Sequence, residues 1–431
     1  MRQVKKDLLC LLGISLVCGL IFVQNGCTEK GSKAESTNAD LSSGFSDAET
    51  QAALQLIDKL PDSPEGYTRL AVLYIKKARK NGDFALNSKA DAAVEKALEI
   101  APANSEARKL KASLHLTFHR FVDALENGNQ LQKEFPNDAF VYGILTDANS
   151  ELGNYVEAVA AAQKMVDLKP NSSSYARVAH LRSLHGDHAG AVEMYKLAAQ
   201  TADPADKEAQ SWCLVRLGDE LWKNGKYPAA EKVYDEALQN FPGYYMALAG
   251  KGRIRAAQND FAAAEKFLTD AQNRLPDSGT IIQLGDIYAI QNNAEKARQQ
   301  YDLAEMVEQK LGAAGDQTRL ALYWANHNIK LDEALAIASS EHNSRKDIYT
   351  ADVLAWCLFK KSRLTEAKTA ITDAMRLETK DAQILYHAAM IEKGLGNRTE
   401  AVKLLEASLK LNPRFDLLES GKAREALKEL R

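Results

Sequence analysis

An alanine recurs along this 431-residue chain with a period that suits paired helices. It stands at Ala90, Ala124, Ala158, Ala191, Ala230, Ala264, Ala297, Ala334, Ala367 and Ala401, at intervals of 34, 34, 33, 39, 34, 33, 37, 33 and 34 residues. Seven positions after each marker stand Ala97, Leu131, Met165, Ala198, Ala237, Ala271, Ala304, Glu341, Ala374 and Ser408. A step of seven is about two helical turns, so each pair shares a face. Twelve positions before the marker, small residues recur at Ala112, Ala179, Gly218, Gly252, Gly285, Ala355 and Ala389. Small side chains at these places let helices pack closely. Pro102, Pro136, Pro170, Pro242, Pro276 and Pro413 then close six of the units, because proline does not continue a helix.

One unit shows the local chemistry. Residues 211–242 read SWCLVRLGDELWKNGKYPAAEKVYDEALQNFP. Leu214, Leu217, Gly218 and Leu221 mark a first amphipathic helix, and Asn224-Gly225 breaks it. Ala230, Tyr234, Ala237 and Leu238 mark a second, stopped by Pro242. The unit resembles a tetratricopeptide repeat, a helix pair of about 34 residues. The resemblance runs over residues 64–431 and implies an all-α, right-handed α-solenoid of about ten helix-turn-helix repeats, each contacting mainly its neighbours. It also implies a capping helix in ESGKAREALKELR. TADPADKEAQ and KLGAAGDQT lengthen two connections, and ARKNGDFALNSK adds residues to the first repeat. The eighth repeat departs most, with Glu341 at a packing position and no closing proline. The expected organisation is a lipoprotein-type signal peptide over 1–26 and a flexible polar linker over 27–48. Repeats 1–4 then occupy 49–204, repeats 5–10 occupy 205–413, and the cap occupies 414–431.

The N-terminus sets the expected compartment. The apolar run from Leu8 to Val23 follows Arg2, Lys5 and Lys6. It falls short of the roughly 20 residues that span a bilayer, and it has the length of a secretory signal. No A-x-A site follows. Gly26-Cys27 resembles the lipobox of bacterial lipoproteins, although Gln24 and Asn25 depart from its pattern. That resemblance implies lipidation of Cys27 and an exported protein anchored in the bacterial cell envelope. Thr28 is not the aspartate that, in proteobacteria, keeps such proteins in the inner membrane, which favours the outer membrane if the source is such a bacterium; the expected placement faces the periplasm or outer membrane. An uncleaved anchor and a soluble secreted product are the alternatives. Loss of residues 1–26 removes three basic residues and one acidic residue and takes the net charge from −3 to −5. That balance, with mixed charges, argues against nucleic acid as a partner. Cys213 and Cys357 form no disulfide framework and are expected as small buried apolar residues.

Chemistry-bearing motifs are scarce. No phosphate-binding loop, nucleophile elbow, H-E-x-x-H helix or C-x-x-C pair is present, so the expectation is a protein that is not an enzyme and needs no cofactor. His180, His185 and His188 are weak metal candidates, because their spacing does not place three ligands on one helical face. Carrying the family's inner-face positions onto this register assigns a concave binding surface. It comprises Phe140, His180, Trp212, Asp219, Trp222 and Lys223, then Arg253, Asp286, Tyr323 and Asn326, then Tyr349, Trp356, Phe359, Lys360 and Tyr386. Three of the four tryptophans fall in this set, which suits contact with a protein or extended peptide. The opposing reading places these aromatics in the core. Ser113, Ile144 and Asp147 stand where a carboxylate clamp of the chaperone-binding type would need other residues. A glycan- or small-molecule-binding lipoprotein, or an accessory subunit of an envelope assembly or transport complex, are the other functional readings.

Overall fold

The computed structural model describes residues 48–311 and 316–431. The leader, Cys27, the spacer up to residue 47 and residues 312–315 lie outside the described residues. Twenty-two α-helices and no strands are found among the described residues. Helix α1 (Ala48–Lys59) precedes ten pairs. Repeats 1 to 3 are α2 (Pro64–Asn81) with α3 (Ala85–Ile100), α4 (Ser105–Thr117) with α5 (Phe121–Glu134), and α6 (Ala139–Glu151) with α7 (Tyr155–Leu168). Repeats 4 to 6 are α8 (Ser172–Leu184) with α9 (His188–Thr201), α10 (Lys207–Lys223) with α11 (Tyr227–Asn240), and α12 (Tyr245–Ala257) with α13 (Phe261–Arg274). Repeats 7 and 8 are α14 (Ser278–Ile290) with α15 (Ala294–Leu311), and α16 (Thr318–His327) with α17 (Leu331–Ser344). Repeats 9 and 10 are α18 (Ile348–Lys360) with α19 (Leu364–Ala374), and α20 (Ala382–Gly394) with α21 (Arg398–Leu411). The last helix, α22 (Glu419–Leu430), packs on α21. The described residues divide into two compact units, with the boundary between Leu114 and His115. In the first, α1 lays Ala53 and Ile57 against α2, where Gly66 leaves room for Ile57.

The periodic residues form the core. All ten marker alanines are buried, Ala297 being the most exposed at 4%. Glu341 is only half-buried, and its carboxylate accepts from the Gln317 amide at 3.3 Å. The Tyr234 ring packs between Gly218 and Gly250, where any Cβ would collide with it. Every intra-repeat turn holds a residue in the left-handed region: Gly82, His119, Gly153, Gly186, Gly225, Asn259, Asn292, Asn328, Ser362 and Gly396. That conformation ends the first helix and reverses the chain into the second.

Contacts within the second unit are not limited to neighbouring repeats, contrary to the expectation. The intra-repeat turns of repeats 3, 4 and 5 meet the loops that follow repeats 8, 9 and 10, a constant offset of five. Gly153 faces the Lys346 carbonyl, Gly186 the Glu378 carbonyl and Gly225 the Leu411 carbonyl. Hydrogen bonds lie beside each contact. The Ile348 amide donates to the Tyr155 hydroxyl at 2.9 Å, the Thr379 hydroxyl donates to the Leu184 carbonyl, and Asn412 Nδ2 donates to the Trp222 carbonyl at 2.9 Å. Beneath this seam the apolar core is continuous. Tyr155, Ala158, Leu181 and Leu184 belong to the same cluster as Ile348, Trp356 and Ile384.

Candidate binding surface

The first helix of repeat 5 carries the most developed stripe. Trp212, Arg216, Asp219, Trp222 and Lys223 recur at helical spacing along α10, so they share a face. The Arg216 guanidinium lies 5.7 Å from the Trp212 ring centroid, and that of Arg253, from the next repeat, lies 5.0 Å from Trp222. Asp219 ties the two cations together, at 2.9 Å from Arg216 and 2.5 Å from Arg253, and accepts from the Tyr234 hydroxyl at 2.7 Å. Burial alone would raise the Asp219 carboxyl, but the two guanidiniums hold it below the usual range. Trp212 and Trp222 are half-buried, and the Trp222 indole N–H is buried with no acceptor among the described residues.

Acid–base pairs join first helices at alternate repeat junctions. Asp147 meets Arg177 at 2.8 and 2.5 Å between repeats 3 and 4, and Asp219 meets Arg253 between repeats 5 and 6. Asp286 meets His327 at 3.1 Å between repeats 7 and 8, and Asp352 meets His387 at 2.9 Å between repeats 9 and 10. Arg177 and Arg253 thus neutralise Asp147 and Asp219 within the inner stripe. Lys223 is also engaged, donating to the Tyr349 hydroxyl at 3.1 Å with Asp381 at 3.9 Å. Burial would weaken its charge, yet Tyr349 and Asp381 keep its ammonium above the usual range.

Three aromatic residues assigned to the surface are core residues instead, and Asp286 is buried as well. Trp356 is 1% exposed, stacks on His387 at 4.1 Å, and donates its indole N–H to Asn326 at 2.7 Å. Tyr386 is covered by Phe415 from beside the capping helix, and its hydroxyl donates to Glu419 at 2.7 Å. Tyr323 is buried between Tyr301 and His327. Phe359, Asn326 and Tyr349 are half-buried, and Lys360 donates to Asn328 at 3.1 Å above the Trp356 ring. Phe140 is 47% exposed and lines a surface cavity of about 580 Å³ with Phe135, Met165 and Leu168.

The three histidines have separate surroundings. His180 is exposed, His185 meets the Tyr155 ring edge-on, and His188 binds Glu220 and the Lys380 carbonyl. Among the described residues no group of three or more His, Cys, Asp or Glu side chains is placed to hold a metal ion. Cys213 and Cys357 are buried thiols outside any disulfide, and burial pushes the Cys357 thiol up to about 12.

The seam residues were not singled out in the sequence, although a signal for them exists. The closing proline stands twelve positions after the marker. Repeats 8 and 9 carry Lys346 and Thr379 there, and both are seam residues.

Comparison with known proteins agrees with this architecture. Family models described as tetratricopeptide repeat match residues 215–278 and 382–415. The chain is a tetratricopeptide-repeat protein. Such repeats are generally non-catalytic scaffolds for protein interaction. The BBSome complex member BBS4 homolog of Drosophila melanogaster is 21% identical over 288 residues, covering 64% of this tetratricopeptide-repeat chain and 58% of that protein's length. Yeast Tom70 is 14% identical, with 92% of this chain and 96% of that one covered and a TM-score of 0.38. The human IFIT1 dimer with PPP-AAAA is 13% identical, with 89% and 95% covered and a TM-score of 0.47. Among the described residues no helix is long and apolar enough to cross a membrane.

Proposed function

We propose that this protein is a non-enzymatic scaffold, tethered in the bacterial cell envelope through lipidated Cys27, that holds an extended peptide or loop of a partner protein on the stripe of repeats 5 and 6. The observation that carries the reading is the pair of half-buried indoles, Trp212 and Trp222, each beneath a guanidinium. Tryptophan and arginine dominate the energetics of protein interfaces, because they supply large contact area and directed donors. The basic start, the sixteen-residue apolar run and Gly26-Cys27 support the tether.

Affinity capture from detergent-solubilised envelope tests the partner. A stoichiometric protein is expected with the natural chain and is lost with Trp212→Ala/Trp222→Ala at unchanged helicity. Recovery of glycan alone, or equal capture by the double variant, rejects the stripe. Cys27→Ser is expected to release the protein from membranes. Retention of that variant points to an uncleaved anchor.

A further inference from the structure

We propose that the seam between repeats 3–5 and 8–10 is a proton-dependent closure, tighter on the acid side of neutrality and looser on the alkaline side, that governs how open the stripe of repeat 5 is. The link to the stripe is Lys223. Its ammonium is held by Tyr349 of repeat 9 and by Asp381, which caps the first helix of repeat 10. Asn412, in the loop after repeat 10, holds the backbone of Trp222. Loosening the seam therefore frees one end of the stripe. The inference is independent of what the stripe binds.

Two sites on the seam favour bound protons. At the first, His188 Nδ1 lies 2.5 Å from Glu220 Oε1, and Nε2 lies 2.8 Å from the Lys380 carbonyl oxygen. A carbonyl only accepts, and Glu220 is already an acceptor from the Ser183 hydroxyl at 2.8 Å. Only the doubly protonated ring donates to both partners. A neutral ring leaves a lone pair against one of the two acceptors, Glu220 or the Lys380 carbonyl. The charged groups around it are Glu220 and Lys223 on α10, the Arg182–Asp187 pair at its own turn, and Lys380 opposite.

At the second site, Arg345 sits among three carboxylates from three segments. Glu151 is at 3.0 Å, Asp316 at 2.9 Å and Asp347 at 3.5 Å. One guanidinium does not neutralise three carboxylates. Burial pushes Glu151 up to about 7 against the pull of Arg345, and Asp347, Asp147 and Asp316 add to the rise. Arg345 and Thr318 hold Asp316 at about 2, although burial alone would raise it. A carboxyl raised by closure favours the closed form while it is protonated, and that advantage is lost as pH rises toward and through about 7. His119 also faces Arg345 and acts in the opposite sense. Burial and Arg345 lower it, so its effect falls below its ordinary range. Between about pH 6 and about pH 8, the Glu151 site favours closure at the lower value.

The amide of Ile348 reports the seam directly, because it donates to Tyr155 across it. Its hydrogen-exchange protection, corrected for intrinsic rate, is measured in the full chain at about pH 6 and about pH 8, with the Ala264 amide as reference. The expected result is a loss of protection of about tenfold at Ile348 relative to Ala264 at the higher pH. Glu151→Gln is expected to reduce that response, and Glu151→Gln/His188→Gln to abolish it. Acrylamide quenching reports chiefly on Trp212 and Trp222, since Trp324 and Trp356 are buried, and is expected to rise in parallel. Gly186→Ala strains its turn and meets the Glu378 carbonyl, so it should give the open behaviour at both pH values. Parallel changes at Ile348 and Ala264, or a full response in the double variant, overturn proton control. Loss of Ile348 protection without added quenching overturns control of the stripe.

Discussion

Trp356 and His387 stack face to face, with ring centroids 4.1 Å apart and planes 14° from parallel. His387 is fully buried, and its Nδ1 lies 2.9 Å from Asp352. The indole is therefore one layer of the repeat 9–10 junction and is not free to meet a ligand. Trp356→Ala should destabilise the protein by about 3–5 kcal/mol, the range for removing a buried aromatic ring. Trp212→Ala, at a half-buried site, should cost less than about 1 kcal/mol. Urea unfolding followed by far-ultraviolet circular dichroism separates the two. Equal losses would show that Trp212 is also a core residue.

Glycine substitutions should have opposite signs at two helical sites. A Cβ at Gly218 would strike the ring of Tyr234, which is fully buried and anchored to Asp219 through its hydroxyl. Gly218→Ala should cost about 1–3 kcal/mol through overpacking. Gly421 lies within α22 with nothing within 4 Å of the added methyl. Gly421→Ala should stabilise by about 0.5–1 kcal/mol, the ordinary helical preference for alanine. Denaturation midpoints measured in one buffer decide both signs. A neutral Gly218→Ala would mean that the Tyr234 ring shifts freely.

The local parts of this architecture are legible in the sequence because they recur at fixed spacing. The ten marker alanines are all buried, and Asn224-Gly225 and Pro242 mark their unit's turn and end. The seam is not legible in this way. Tyr155 and Ile348 are 193 positions apart, and no period within one repeat encodes the rise that brings repeat 8 beside repeat 3. The same limit applies to the stripe. Trp222 and Trp356 stand eight and eleven positions before their markers and are both assigned to the inner face, yet His387 and Phe359 stack on the buried Trp356 while Trp222 is only half-buried. Neighbours in the next repeat decide exposure, and a single repeat's pattern does not include them.

The turn of repeat 9 places Ser362 at φ 58°, where the corresponding turns of repeats 3, 4 and 5 use glycine. A Cβ in that region meets the following carbonyl oxygen and costs about 1–2 kcal/mol. Ser362 is exposed. Ser362→Gly should therefore stabilise by about 0.5–1 kcal/mol, part of the relief being lost to the greater freedom of the unfolded chain. His119, at φ 56°, should gain less from the same change, because its ring stacks on Phe121 at 5.4 Å. Thermal midpoints of the two variants test the order, and a larger gain at His119 would contradict it.

Asp416 supplies a pH-dependent case. Its carboxylate accepts the amides of Leu418 and Glu419 at 2.8 and 2.7 Å, at the start of α22. Burial pushes it up to about 6, with repulsion from Asp286 and Glu419 adding to the shift and the two amides opposing it. The native value lies above the unfolded one, so ionisation costs stability. The cost is absent below about pH 4, grows through the interval and is complete above about pH 6. Asn keeps an oxygen for the two amides and carries no charge. Asp416→Asn should thus leave stability unchanged near pH 4 and raise it by about 1–2 kcal/mol near pH 8, after discounting for partial exposure. Chemical denaturation at the two pH values gives the comparison. A loss of stability near pH 8 would show that the amides at the start of α22 need the carboxylate's charge more than its burial penalises it.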